Sequence, residues 1–127
     1  MDLILGKNKY NISVIGWSLI ILYFTLSSSA PDDLPKFDIP HFDKIGHFGL
    51  FFVLSVLLFQ SLKPLDKMVK WAGLILYCVF LGVITEYLQT KIPGRSGDVM
   101  DLLADIVGSF SGIFVTSYIN LHYRGAN

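Results

Sequence analysis

The sequence predicts an all-α integral membrane protein, a bundle of four transmembrane helices with short connections. Of its 127 residues, 53% are hydrophobic even without counting glycine, and mean hydropathy is +0.57. Only 16% are charged, whereas soluble domains carry about 25%. A transmembrane helix needs about 20 mostly apolar residues, and four such segments can be placed along the chain.

Composition also limits the functions that the chain can have. The formal net charge is zero and no basic block is present, so nucleic acid is not an expected partner. The single cysteine, Cys78, lies in an apolar run, which predicts a buried, unreactive thiol. No HExxH, P-loop, CxxC or nucleophile-elbow motif occurs, and the residues alone identify no reaction. Without repeats or low-complexity tracts, residues 1–127 are interpreted as one membrane domain.

The first predicted helix covers about residues 10–27, an apolar run that follows Lys7 and Lys9. A cleaved signal peptide is the competing interpretation, since the start is basic and Ser28–Ala30 is a run of small residues. The apolar run is longer than a usual signal-peptide core, and Pro31 directly after the cleavage position hinders cleavage. We therefore predict a retained transmembrane helix.

The other predicted helices cover about residues 43–62, 68–90 and 98–121. An acidic loop with three prolines precedes the second helix, a lysine-rich turn precedes the third, and Pro93-Gly94 marks the turn before the fourth. The lysines of the N-terminus and of the second connection fall on one side of the membrane, together with Arg124. The positive-inside rule then places both termini in the cytoplasm.

Polar residues cluster at the outer ends of the last three helices. Their spacings of three, four and seven place the members of each helix on one face: Asp43 with His47, Glu86 with Gln89, and Asp98 with Asp101 and Asp105. An ionisable group at the centre of a bilayer costs about 2.5–3.5 kcal/mol on insertion scales. Such a cluster therefore predicts a site at the outer leaflet.

The Pro93-Gly94 turn makes the third and fourth helices antiparallel neighbours. Glu86 and Gln89 are therefore expected to meet Asp101 and Asp105, with Arg95 folding back as their counter-charge. Ionised carboxylates in a low dielectric need a balancing charge, which can come from Arg95, Lys44, His47, a metal ion or protons.

Each feature also has a structural interpretation. Asp43 and Asp98 can act as helix N-caps, and His47 alone can be a hydrogen-bonded structural histidine. Gly108 and Gly112 form a small-residue stripe that allows close helix contact, within one chain or between two. A polar lock that only holds the bundle together is thus an open alternative.

Three chemical uses of the cluster fit its residues. In the first, His47 works with Glu86 and Asp101 as acid and base on a lipid-linked or phosphorylated substrate. In the second, the site binds an anionic headgroup; the candidate residues are Lys44, Gln89, Arg95, Asp98 and Asp105. In the third, the carboxylates bind a divalent cation, although no metal ligand set and no cofactor is assigned.

The order of these motifs resembles the VanZ-like family over nearly the whole chain. The matching residues form three blocks: D-K-x-x-H (Asp43, Lys44, His47), E-x-x-Q (Glu86, Gln89) and P-G-R-x-x-D-x-x-D-x-x-x-D-x-x-G-x-x-x-G (Pro93 through Gly112). The family often has asparagine at the position of Asp105, and the carboxylate here favours proton or metal binding. The resemblance implies a small multi-pass protein of the bacterial inner membrane. The family's namesake confers modest resistance to teicoplanin, a glycopeptide antibiotic with a lipid tail.

The expected function is that of an envelope protein which binds or remodels a membrane lipid or lipid-linked component and thereby affects teicoplanin susceptibility. One alternative is a membrane-embedded hydrolase or transferase acting on a phospholipid or polyprenyl-phosphate. Another is a structural or partner subunit. Substrate, catalysis and oligomeric state are left open by the residues.

Overall fold

A computed structural model describes residues 2–27 and 41–123, with the side chains of the first helix described from Lys9 onward. The chain forms four helices: α1 (Asp2–Leu26), α2 (Phe42–Ser61), α3 (Lys67–Gln89) and α4 (Val99–Tyr123). Each contains a stretch of at least 18 residues that is apolar enough to cross a membrane. The predicted fold class, an all-α bundle of four membrane spans, is confirmed.

The helix bounds differ from the prediction mainly at the start of the chain. The last three helices begin and end within two residues of the predicted positions, whereas α1 begins at Asp2 rather than near Tyr10. Hydropathy located the predicted start, but lysine and leucine are good helix formers, so the helix extends beyond the apolar run. The small residues at 28–30, the loop prolines and Arg124 lie outside the described residues.

Two of the predicted helix starts have recognisable caps. His41 precedes α2 with φ 64° and ψ 27°, and its carbonyl accepts from the amide nitrogens of Lys44 and Ile45 at 3.1 and 3.2 Å. Asp43 is therefore a first-turn residue, where its charge complements the positive end of the helix dipole. At α4, Asp98 Oδ1 accepts from the amide of Met100 at 2.8 Å, so Asp98 does cap its helix.

The helices alternate in direction, so α2 and α4 run parallel to each other. Helix α2 lies at the centre and contacts the other three, whereas the described residues of α1 and α4 do not meet. The buried apolar core is drawn from all four helices; its fully buried members are Ile21, Phe51, Leu54 and Leu74. Most remaining large apolar side chains are exposed around the bundle, as expected for lipid contact.

The contact between α2 and α4 is a backbone contact. A Cβ on Gly108 would overlap the backbone of Phe48, and a Cβ on Gly112 would overlap Ser55 Oγ and the backbone of Phe52. The small-residue stripe is therefore occupied within one chain. This settles which of the two predicted uses these glycines have in the bundle.

Helix α1 is attached to the bundle by polar contacts within the membrane. The indole nitrogen of Trp17 donates to the backbone carbonyl of Leu50 on α2 at 2.8 Å. The hydroxyls of Ser18 and Tyr77 lie 2.9 Å apart and join α1 to α3. These bonds fix the rotation of α1 and thus the shape of the space between α1 and α2.

Replacing Gly108 with alanine tests the α2–α4 contact. We expect Gly108→Ala to lower the free energy of unfolding by about 1–3 kcal/mol, the usual range for overpacking. The added methyl would meet backbone atoms of Phe48, which cannot rotate away as a side chain can. Thermal unfolding in detergent micelles measures the change.

Gly16→Ala is the matched control, since no heavy atom lies within 4 Å of its added Cβ. Its stability should stay the same or rise by up to about 1 kcal/mol, because alanine is the better helix former. Equal effects of the two substitutions would contradict a close α2–α4 contact.

Candidate functional site

Lys44 is the cation at the centre of the polar cluster. Its ammonium nitrogen donates to Asp98 Oδ2 at 2.7 Å and to Asp101 Oδ1 at 2.8 Å, and it lies 3.3 Å from Asp43 Oδ2. The side chain of Asp101 is 11% exposed and that of Asp98 is 44% exposed. One lysine of α2 therefore pairs with the first two carboxylates of the α4 stripe.

This lysine also sets the ionisation of Asp98, which lies just before the α4 span. The hydrogen bond from Lys44 and the amide of Met100 hold the pKa of the Asp98 carboxyl below its ordinary value. Asp98 consequently stays ionised at neutral pH, both as a helix cap and as a partner of Lys44.

His47 and Asp105 form a deeper pair between the same two helices. The histidine Nδ1 lies 2.9 Å from Asp105 Oδ1, and its Nε2 lies 3.7 Å from Asp101 Oδ2. The exposed fractions of His47 and Asp105 are 7% and 1%. A carboxylate beside a buried imidazole fixes the orientation of the ring and the tautomer that it adopts.

Glu86 joins α3 to this arrangement. Its Oε2 accepts from the backbone amide of Asp98 at 2.7 Å. One polar atom each from His47, Glu86 and Asp105 lie within 4.8 Å of one another. The predicted approach of Glu86 to Asp105 is therefore observed.

Gln89 and Arg95 do not join the carboxylates, which corrects the sequence-based expectation. Gln89 Nε2 donates to the backbone carbonyl of Thr25 at 2.9 Å, and Arg95 Nη1 donates to the same oxygen at 2.6 Å. Arg95 Nη1 also lies 3.2 Å from the carbonyl of Ser27. Carbonyls in the last turn of a helix lack partners within it, and cations are favourable there. Arg95 therefore caps α1. Lys44 supplies the positive charge beside the carboxylates that was expected from Arg95.

A groove of about 530 Å³ lies between α1 and α2. Its apolar walls include Trp17, Leu50 and Val53, and its polar end is formed by Arg95 and His47 among others. The groove therefore connects lipid-facing surface to the edge of the polar cluster.

Two contributors to this region were not predicted from the sequence, and the role of a third, Lys44, was predicted only in part. Lys44 was a headgroup-binding candidate and one of several possible counter-charges, although its spacing of three from His47 places both on one helix face. Trp17 and the carbonyl of Thr25 carry no sequence signal for a site, because their roles depend on where α1 packs. The roles assigned to the candidate residues in catalysis and headgroup binding stay predictions.

A double-mutant cycle measures how Lys44 divides its pairing. We expect the coupling between Lys44→Met and Asp101→Asn to exceed that between Lys44→Met and Asp98→Asn. The reason is burial, since exposed ion pairs contribute little to stability. Thermal unfolding at low and high salt gives both couplings. Equal couplings, or two couplings equally weakened by salt, would show that Asp101 is as well solvated as Asp98.

Comparison with known proteins places the chain in a family. The family model described as VanZ/LLP1 matches residues 3–120. An uncharacterised protein of the fission yeast Schizosaccharomyces pombe is 33% identical over 75 residues, which cover 58% of this chain and 46% of the relative. The match thus spans about half of that relative's length. No solved structure matches.

The comparisons and the four helices support a less specific location in the cell than the one expected from the sequence. Four helices long enough to span a membrane indicate a multi-pass membrane protein. The yeast relative shows that similar chains are not confined to bacteria, so the bacterial inner membrane and cytoplasmic termini stay predictions. Because the match reaches from α1 through most of α4 and includes the whole polar cluster, the chain belongs to the VanZ/LLP1 family.

Proposed function

We propose that the protein binds an anionic amphiphile, a membrane lipid or a lipid-linked envelope component, in the groove between α1 and α2. The observation that carries this proposal is the continuity of the groove. Its apolar walls are formed by residues of two helices that are apolar enough to span a membrane, and Arg95 lines the same groove at the end of the bundle. An amphiphile has the same division into an apolar tail and a polar head.

The apolar part of the groove has room for an acyl chain. Gly46 and Gly49 line it, and no heavy atom lies within 4 Å of the position of a Cβ on either residue. Leu50 and Val53 continue the wall along α2, and Trp17 forms the opposite side from α1.

Arg95 is suited to hold the headgroup. Its Nη1 is engaged by two backbone carbonyls, which are neutral, so the described contacts do not cancel its charge. A guanidinium carries five N–H donors. Nε and Nη2 have no acceptor among the residues that the structure describes, and arginine commonly binds phosphate through two parallel hydrogen bonds.

Lipid binding can be measured through Trp17, since the only other tryptophan is Trp71. In a Trp71→Phe background, brominated phosphatidylglycerol should quench Trp17 more strongly than brominated phosphatidylcholine does. We expect Arg95→Gln to reduce this preference about tenfold or more, because hydrogen bonds to charged groups contribute about 1.5–3 kcal/mol. Glutamine retains a donor for the Thr25 carbonyl but has no charge.

Lys91→Gln is the matched control, because Lys91 is exposed on the same turn and lies over the Tyr87 ring, outside the groove. It should leave the lipid preference unchanged. An equal loss in both variants would mean that surface charge attracts the lipid, and the groove proposal would fail.

The alternative function, a hydrolase or transferase acting on a phospholipid or polyprenyl-phosphate, is favoured by a separate observation. The buried His47–Asp105 hydrogen bond is the arrangement of an oriented general base. His47→Gln separates the two functions. A binding protein should keep more of its lipid preference in this variant than in Arg95→Gln, whereas an enzyme should still bind the lipid and lose turnover.

We further propose that occupancy of the groove affects teicoplanin susceptibility in a bacterial envelope. Family membership supports this proposal, and the lipid tail of teicoplanin is an amphiphile's apolar part. Expression of the chain in a susceptible host should raise the minimum inhibitory concentration of teicoplanin. The minimum inhibitory concentration of a glycopeptide without a lipid tail should not change. Arg95→Gln should abolish the rise for teicoplanin. A rise that persists in Arg95→Gln would exclude the groove as its cause.

A further inference from the structure

We infer that His47, Glu86 and Asp105 bind a divalent transition-metal ion such as Zn²⁺ between α2, α3 and α4. This inference goes beyond amphiphile binding and does not rest on it. The groove uses Arg95 and the α1–α2 surface, whereas the ion would lie on the other side of His47, within the bundle.

One imidazole nitrogen and two carboxylate oxygens are donors that zinc accepts. One atom each from an imidazole and two carboxylates lie within 4.8 Å of one another, and each residue comes from a different helix. Ligand atoms around tetrahedral zinc lie roughly 3.3 Å apart at bond lengths of about 2.0 Å. The 2.9 Å between His47 Nδ1 and Asp105 Oδ1 is already near this spacing.

Independent support comes from two buried carboxylate oxygens. Asp105 is 1% exposed, and its Oδ2 has no hydrogen-bond partner among the described residues. This oxygen faces α3, since a Cβ on Gly82 would lie 3.2 Å from it, and Glu86 is one turn further along that helix. Glu86 Oε1 is also buried without a described partner. Orphaned carboxylate oxygens are costly in a low dielectric, and coordination of a cation removes that cost.

The charges of the cluster lead to the same conclusion. Lys44 is engaged by Asp98 and Asp101, and Arg95 donates to backbone carbonyls. In the part of the chain that the structure describes, Glu86 forms no ion pair and Asp105 pairs only with His47. Two carboxylates beside a neutral imidazole carry a charge of −2. A divalent cation balances this charge without requiring the histidine or either carboxylate to be protonated.

The surroundings supply what a metal site needs beyond its ligands. The amide of Asp98 holds Glu86 Oε2 at 2.7 Å, which orients the carboxylate as outer contacts of metal ligands do. His47 also lines the α1–α2 groove, so one ligand of the proposed site borders open space. Three protein ligands leave a fourth position of a tetrahedral ion open.

Metal titration of the purified full chain tests this inference. After chelator treatment and dialysis, Co²⁺ is added as a spectroscopic probe and is then displaced by Zn²⁺. We expect one ion per chain, with the visible absorption of tetrahedral Co²⁺. Asp105→Asn and Glu86→Gln should each weaken binding at least about tenfold, the loss that follows even from removing an outer partner of a ligand.

Asp66→Asn is the matched control and should bind Zn²⁺ as the parent chain does. Asp66 precedes α3, twenty residues before Glu86, so it lies about 30 Å away along the helix. Equal Zn²⁺ affinity in all variants would identify adventitious binding and overturn the inference. So would an absence of binding accompanied by the infrared carbonyl band of a protonated carboxyl that disappears in Asp105→Asn. If Asp105→Asn does not fold, the Glu86→Gln titration and the Co²⁺ spectrum of the parent chain decide the question.

Discussion

The close approach of α2 and α4 at Gly108 and Gly112 is the constraint on which the rest of the structure depends. No side chain separates the two backbones there, and the helices run parallel from the same end of the bundle. Residues nearer that end are therefore brought face to face, Lys44 with Asp101 and His47 with Asp105. The polar cluster is a consequence of a glycine contact one or two turns below it.

Two cations at this end of the bundle, Lys44 in the polar cluster and Arg95 beside it, have different roles. Lys44 neutralises carboxylates at the start of α4, while Arg95 secures the end of α1 and keeps its charge at the mouth of the groove. A polar lock and a binding site are thus compatible in one molecule, because different residues serve each. The buried group of His47, Glu86 and Asp105 is engaged by neither cation, and His47 is the only basic residue that pairs with its carboxylates among the described residues.

How much of the structure could be predicted from the sequence depends on how far apart along the chain the interacting residues lie. Helical periodicity is local, so the shared face of Asp98, Asp101 and Asp105 and the approach of Glu86 across a short turn could be expected. The partners of Gln89 and Arg95 could not, because the carbonyl that they share belongs to a helix more than sixty residues earlier. The small-residue stripe predicted a close helix contact but not which helix is contacted, because packing depends on the whole bundle.

The hydrogen bonds that join the end of α1 to the region of the α3–α4 turn also bear on the order in which the chain is synthesised. Thr25 precedes its partners by 64 and 70 residues, and Lys44 precedes Asp98 and Asp101 by 54 and 57. The first two helices are therefore synthesised before any of these partners. A chain that ends after α2 therefore leaves Lys44, His47 and the carbonyl of Thr25 without the partners that they have in the complete bundle.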